Sequence, residues 1–153
     1  MNSDHSAALL APFSEAELTA LELRWYSGQL LRHVEWLLGF ADRHRTEILA
    51  LAAESPDPAA LLLATKQLIV QRGSVHLAGE LKDQLREIEN ELWYRGKEGD
   101  FDRSRIQLDW TAAHAATWRR WRIREYIFVT GRCEARVLAI LALPPPPSAP
   151  RPA

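Results

Sequence analysis

The chain reads as an all-α protein, an antiparallel up-down-up bundle of three long helices. Breakers are sparse and evenly placed, the stretches between them keep an apolar period near 3.6, and no run alternates apolar and polar as a half-buried strand must. The three segments, 14–54, 57–95 and 102–142, are nearly equal, and at 1.5 Å per residue each would span about 60 Å. Short turns between equal rods put neighbours side by side and antiparallel.

The first segment opens at Phe13-Ser14-Glu15-Ala16-Glu17-Leu18, where Ser14 and Glu17 suit a capping box and Phe13 can staple onto Leu18. Residues 1–13 before it read as a flexible N-terminus. Within it Leu23, Leu30, Leu37, His44 and Leu51 recur every seven residues, interleaved with Ala20, Ser27, Val34, Ala41 and Ile48. That is a coiled-coil-like seam with one polar intruder, His44.

Ser55-Pro56-Asp57-Pro58 punctuates next, with Asp57 as cap and Pro58 in the first turn, where a missing N–H costs nothing. The apolar register of this second segment slips at Gln71-Arg72-Gly73-Ser74, from the phase of Leu63, Val70 and Leu77 to that of Leu81, Leu85, Ile88 and Leu92. A break near Gly73 would make four helices of three. Gly96 and Gly99 end the segment, and Asp100 or Asp102 caps the third. Pro144–Pro147 stop the third helix, so 14–142 is the bundle domain and 143–153 a Pro-rich disordered tail.

A length of 153 residues with 47% hydrophobic and 25% charged content suits one domain with a real core. A net charge of -1 excludes a bulk field that would gather nucleic acid or an anionic membrane. The basic excess is local: residues 100–142 hold eight arginines against five acids. One cysteine excludes an internal disulfide and a cysteine-based zinc cluster. With no basic region before the apolar run at the start, and no uncharged apolar run of ~18 residues, a cytoplasmic protein is expected. Sixteen arginines against three lysines, with abundant alanine and proline, point to a GC-rich bacterial genome.

Stepping 100° per residue along the third segment divides its apolar side chains into two opposed stripes. One holds Ile106, Trp110, Trp121, Phe128 and Leu138, the other Leu108, Ile123, Tyr126, Cys133, Val137 and Leu141. A helix of an isolated trio needs only one broad apolar face, so the second stripe calls for another partner. Behind the leucine seam of the first segment lie Leu18, Trp25, Trp36 and Phe40. Tryptophan and arginine are also the residues enriched at interface hot spots. Trp25, Trp36, Trp118, Trp121 and Arg122 are therefore the expected interaction surface. The expected function is non-enzymatic: protein–protein interaction, as a homo-oligomer or an adaptor.

Two other readings compete. Folding the segments about their turns brings His33, His76, Glu80 and, a turn away, His114 towards one level, a candidate metal site with histidine and glutamate ligands. Arg119, Arg120, Arg122 and Arg124, interleaved with tryptophan, could contact RNA or single-stranded DNA by phosphate neutralisation and base stacking. The bland alternative pairs these arginines with the acidic face Glu80, Asp83, Glu87 and Glu91. No Gly-rich phosphate loop, nucleophile elbow or Cys/His arrangement is visible. No cofactor other than that metal is expected.

Overall fold

The structure, a computed structural model, describes residues 3–53 and 57–142. It is all-helical, with no strand among the described residues. The elements are α1 (Ser3–Leu10), α2 (Glu15–Tyr26), α3 (Leu31–Arg43), α4 (Arg45–Ala52), α5 (Pro58–Arg72), α6 (Leu77–Lys97), α7 (Arg103–Arg132) and α8 (Glu134–Ala142). The Ser55-Pro56 turn and the 143–153 tail lie outside the described residues.

Each expected rod is broken, so the chain is not a bundle of three long helices. The capping box at Ser14 is present, with the Glu17 amide donating to Ser14 Oγ at 3.2 Å and the Ser14 amide to Glu17 Oε1 at 3.1 Å. But α2 stops at Ser27, and Gly28 takes φ +82, a left-handed conformation that glycine adopts without a Cβ clash. His44, at φ -109 and ψ 20, interrupts the path again between α3 and α4. Each interruption resets the helical phase, so the seven-residue seam does not continue: Leu30 and Leu37 are wholly buried while Leu23 is 69% exposed.

The second segment breaks where its register slips. Gly73, at φ +73, ends α5 and donates its amide to Ile69 O at 2.9 Å, and α6 restarts with the Gly79 amide donating to His76 Nδ1 at 2.9 Å. In the third segment Cys133 separates α7 from α8.

The first thirteen residues are not merely a floppy lead-in. They contain α1, whose Leu9 is buried in the main core. Arg124 pins the link between α1 and α2, donating to the carbonyls of Leu9 at 2.9 Å and Ala11 at 2.6 Å and pairing with Glu17 at 3.1 Å. The same guanidinium lies 4.1 Å above the Phe13 ring.

One core cluster draws on α1 to α5, the second half of α7, and α8. Residues 122–130 of α7 are buried without exception, so this stretch is a central helix wrapped on all sides. Along this inner half the second stripe is covered from within, by packing of α1, α3, α5 and α8 on α7, whereas Leu108, further out on the same stripe, stays exposed.

The other half of α7 pairs with α6 in a helical hairpin turned at Gly99, φ +86. Its buried apolar side chains, Ile88, Ile106 and Trp110, lie outside the main cluster. The base of α6 approaches α3 closely at Gly79, where a Cβ would come 2.4 Å from the Trp36 ring. No helix among the described residues is long and apolar enough to cross a membrane.

Candidate functional site

Where the hairpin joins the core, α2, α3, α6 and α7 bring together a cluster of charged side chains that the core partly buries. Glu125, on the wrapped part of α7, is its centre. Its Oε1 lies 3.0 Å from His33 Nε2 on α3, and its Oε2 lies 2.7 Å from Arg24 Nε on α2, an ion pair too bent for a good hydrogen bond. Arg122, one turn earlier, reaches His33 Nε2 at 2.7 Å and Asp83 Oδ2 of α6 at 3.1 Å. Arg32 of α3 donates both Nη groups to Asp83, each at 3.1 Å, a bidentate pair that ties the hairpin to the core.

His33 is the conflicted member. Its Nε2 can donate to Glu125 or accept from Arg122, not both at once, and its buried Nδ1 has no partner among the described residues. Burial pushes its pKa below the usual histidine value, outweighing the upward pull of Glu125. For Glu125, burial is the largest single influence and raises the pKa. The hydrogen bond with His33 and the charges of Arg24 and Arg122 together reverse it, so the carboxyl titrates below the usual range. The site therefore holds an ionised carboxylate against a neutral imidazole near pH 7. Tyr126, stacked on His33 at 4.6 Å, has a buried hydroxyl without a partner among the described residues, and burial raises its pKa.

Two connected hollows open beside this cluster. One, of about 250 Å³, is lined by Arg24, Arg32, Arg86 and Arg122, with Asp83 and Trp118. The other, of about 420 Å³, is an aromatic groove along Trp110, His114, Thr117, Trp118 and Trp121. A narrower space of about 160 Å³, bounded by Trp118, Trp121 and Glu125, joins them. Arg122 lies 4.5 Å over the Trp118 ring at the junction.

The residues singled out from sequence are redistributed. Trp25, Trp36 and Trp121 are partly buried against the core rather than presented outward. Trp25 meets Phe128 edge-on at 6.3 Å, and Trp36 stacks on His76 at 4.4 Å with Arg32 5.1 Å away. Arg122 is buried, and of the expected surface Trp118, Trp121 and Arg122 line the hollows while Trp25 and Trp36 do not.

The four candidate metal ligands do not converge. His33 is committed to Glu125 and Arg122, His76 caps α6, Glu80 accepts the Val75 amide at 3.2 Å, and His114 sits beside Trp110 out on the hairpin. No group of three or more potential ligands is placed to hold an ion among the described residues.

The arginine run also divides. Arg119 and Arg120 are exposed, whereas Arg122 and Arg124 are buried in separate networks on different sides of the helix. The acidic face of α6 is met at Asp83, by Arg32 and Arg122. Sequence reasoning missed Glu125 and Arg24 as partners, whereas Asp83 stood on the acidic face expected to meet these arginines and does meet Arg122. The available signal was Glu125 itself, a lone acid ahead of the apolar run Tyr126–Val129, since an acid there needs a cationic neighbour.

No family model matches this chain, and no curated protein or solved structure matches it either.

Proposed function

We propose that the protein acts without catalysis, as an interaction protein whose α6–α7 hairpin docks on the hairpin of a second copy. The carrying observation is where exposed oily surface collects. Seven of the thirteen exposed large hydrophobic side chains among the described residues fall between Leu77 and Leu108, and Phe101 at the turn is 78% exposed. Leu77, Leu81 and Leu85 recur at four-residue spacing along α6, as do Leu108 and Ala112 along the outer half of α7. A two-helix hairpin with a thin inner seam gains most from a second hairpin, which turns it into four helices around a common core.

Charge favours a second copy as the occupant. Residues 103–121 carry four basic side chains and one acidic, whereas α6 carries five acidic and four basic. An isologous antiparallel pairing lays the basic outer half of α7 on the acidic α6 of the other copy. Sedimentation equilibrium at micromolar concentration is expected to show a dimer, and Leu81→Glu with Leu108→Glu to return it to monomer with its helicity intact. A wild-type chain that stays monomeric throughout that range overturns the proposal.

A further inference from the structure

The hollows beside Glu125 carry a second reading, independent of how the hairpin pairs. We propose that they bind a small aromatic anion, its ring in the tryptophan groove and its phosphate or carboxylate among the arginines. Four guanidiniums converge on one hollow, and two of them keep donors free. Arg24 spends Nε on Glu125 and Nη1 on Gln29, at 2.9 Å, which leaves Nη2. Arg86 has no ion-pair partner among the described residues. Arginine forks match the planar or tetrahedral oxygens of carboxylate and phosphate.

The buried carboxylates do not cancel this, because they are already engaged. Asp83 and Glu125, with side chains 8% and 2% exposed, hold Arg32, Arg122 and Arg24 in place before any ligand arrives. Glu87 is the exception: exposed, without an ion-pair partner among the described residues, and shared by all three spaces, it is the one carboxylate an anion would meet.

The aromatic half rests on continuity. Trp118 lines every one of the three spaces, so a ring stacked on it reaches the groove of Trp110 and Trp121 while an anionic group on a short linker reaches the arginines. The volumes, about 250 and 420 Å³, suit a ligand of one or two rings.

Calorimetry and tryptophan fluorescence on the full chain at low salt test this, with adenosine 5′-monophosphate, indole-3-acetate, adenosine and inorganic phosphate as probes. At least one of the two aromatic anions is expected to bind with a Kd below about 1 mM, at least tenfold tighter than adenosine or inorganic phosphate. Which of the two binds better distinguishes phosphate from carboxylate. Arg86→Gln should weaken binding about tenfold, the equivalent of one charge-assisted contact, and Glu87→Gln should tighten it. Both positions are exposed and have no ion-pair partner among the described residues, so both variants should keep the wild-type circular dichroism and thermal midpoint, separating a lost contact from a lost fold. Failure of both aromatic anions to bind, wild-type affinity in Arg86→Gln, or equal affinity for inorganic phosphate overturns the proposal. A single-stranded oligonucleotide binding a hundredfold tighter than the mononucleotide would make the cleft a nucleic-acid groove and overturn it too.

Discussion

The two halves of α7 live in different surroundings on one continuous helix. Residues 122–130 are buried on every side, while between 103 and 121 only Ile106 and Trp110 are buried. The inner half carries Arg122, Arg124 and Glu125 into the core and satisfies them there, and the outer half leaves Arg119, Arg120 and Leu108 in the open. Charge therefore does not mark the surface of this molecule, and apolar character does not mark its interior. What decides is how many helices surround a given turn: several around the inner half, and chiefly α6 around the outer.

Removing Glu125 should break the wrapped half most severely. Glu125→Ala leaves Arg122, Arg24 and His33 without their shared acceptor, and loss of one partner of a buried charged pair costs about 3–5 kcal/mol. Urea unfolding at neutral pH is expected to show a correspondingly lower midpoint. A cost near that of a surface substitution would mean that the cluster is already solvated.

Gly79→Ala should divide the two regions instead. Alanine gains about 1 kcal/mol of helix propensity, but the new methyl must displace the Trp36 ring and His76 Nδ1, and overpacking of that kind costs about 1–3 kcal/mol. Hydrogen exchange is expected to quicken in α6 and the outer half of α7 while α3 and α5 keep their protection. Uniform loss of protection would show hairpin and core to be one cooperative unit.

Acid should loosen the junction gradually, and His33 explains the upper part of that window. Its folded pKa lies below the usual value near 6.5, so below that pH the unfolded chain takes up a proton that the folded imidazole, set among Arg24, Arg122, Tyr126 and Glu125, resists. Stability is lost as pH falls from there towards the folded value. Glu125, whose pKa is also lowered, adds a contribution that is present above the ordinary carboxylate range and lost as pH falls through its folded pKa. His33→Gln should flatten the fall in urea midpoint between about pH 7 and pH 5, where the ordinary histidine titrates. An unchanged slope would assign the acid sensitivity elsewhere.

The smallest effect on stability is expected at the hairpin surface. Leu108→Glu touches a side chain that is 70% exposed, and such changes usually stay within about 0.5 kcal/mol. The melting curve of the monomer should hardly move even where association is lost. A large destabilisation would place Leu108 in an intramolecular contact.

Helix content, the Ser14 box, the Asp57 cap, the break at Gly73 and the hairpin turn near Gly99 were all legible in the residues, because each is decided by interactions within a few positions of chain. The interruptions at Gly28 and His44 were hidden by a heptad pattern that ran through them, and that at Cys133 by a stripe that did the same, since apolar spacing reports where side chains recur and not whether the backbone between them stays helical. The opposed stripes of the third segment were also legible, but not what would cover them.

The sequence by itself thus determined a helical protein with more apolar faces than three rods can hide, because local backbone preference and side-chain periodicity are short-range properties. Only the tertiary structure decided that the chain covers most of those faces itself, buries Glu125 against Arg24 of α2, His33 of α3 and Arg122 of its own helix, and leaves the hairpin bare. Contacts such as Arg24 to Glu125 join residues about a hundred positions apart, and nothing within one helical turn encodes which distant turn will arrive there.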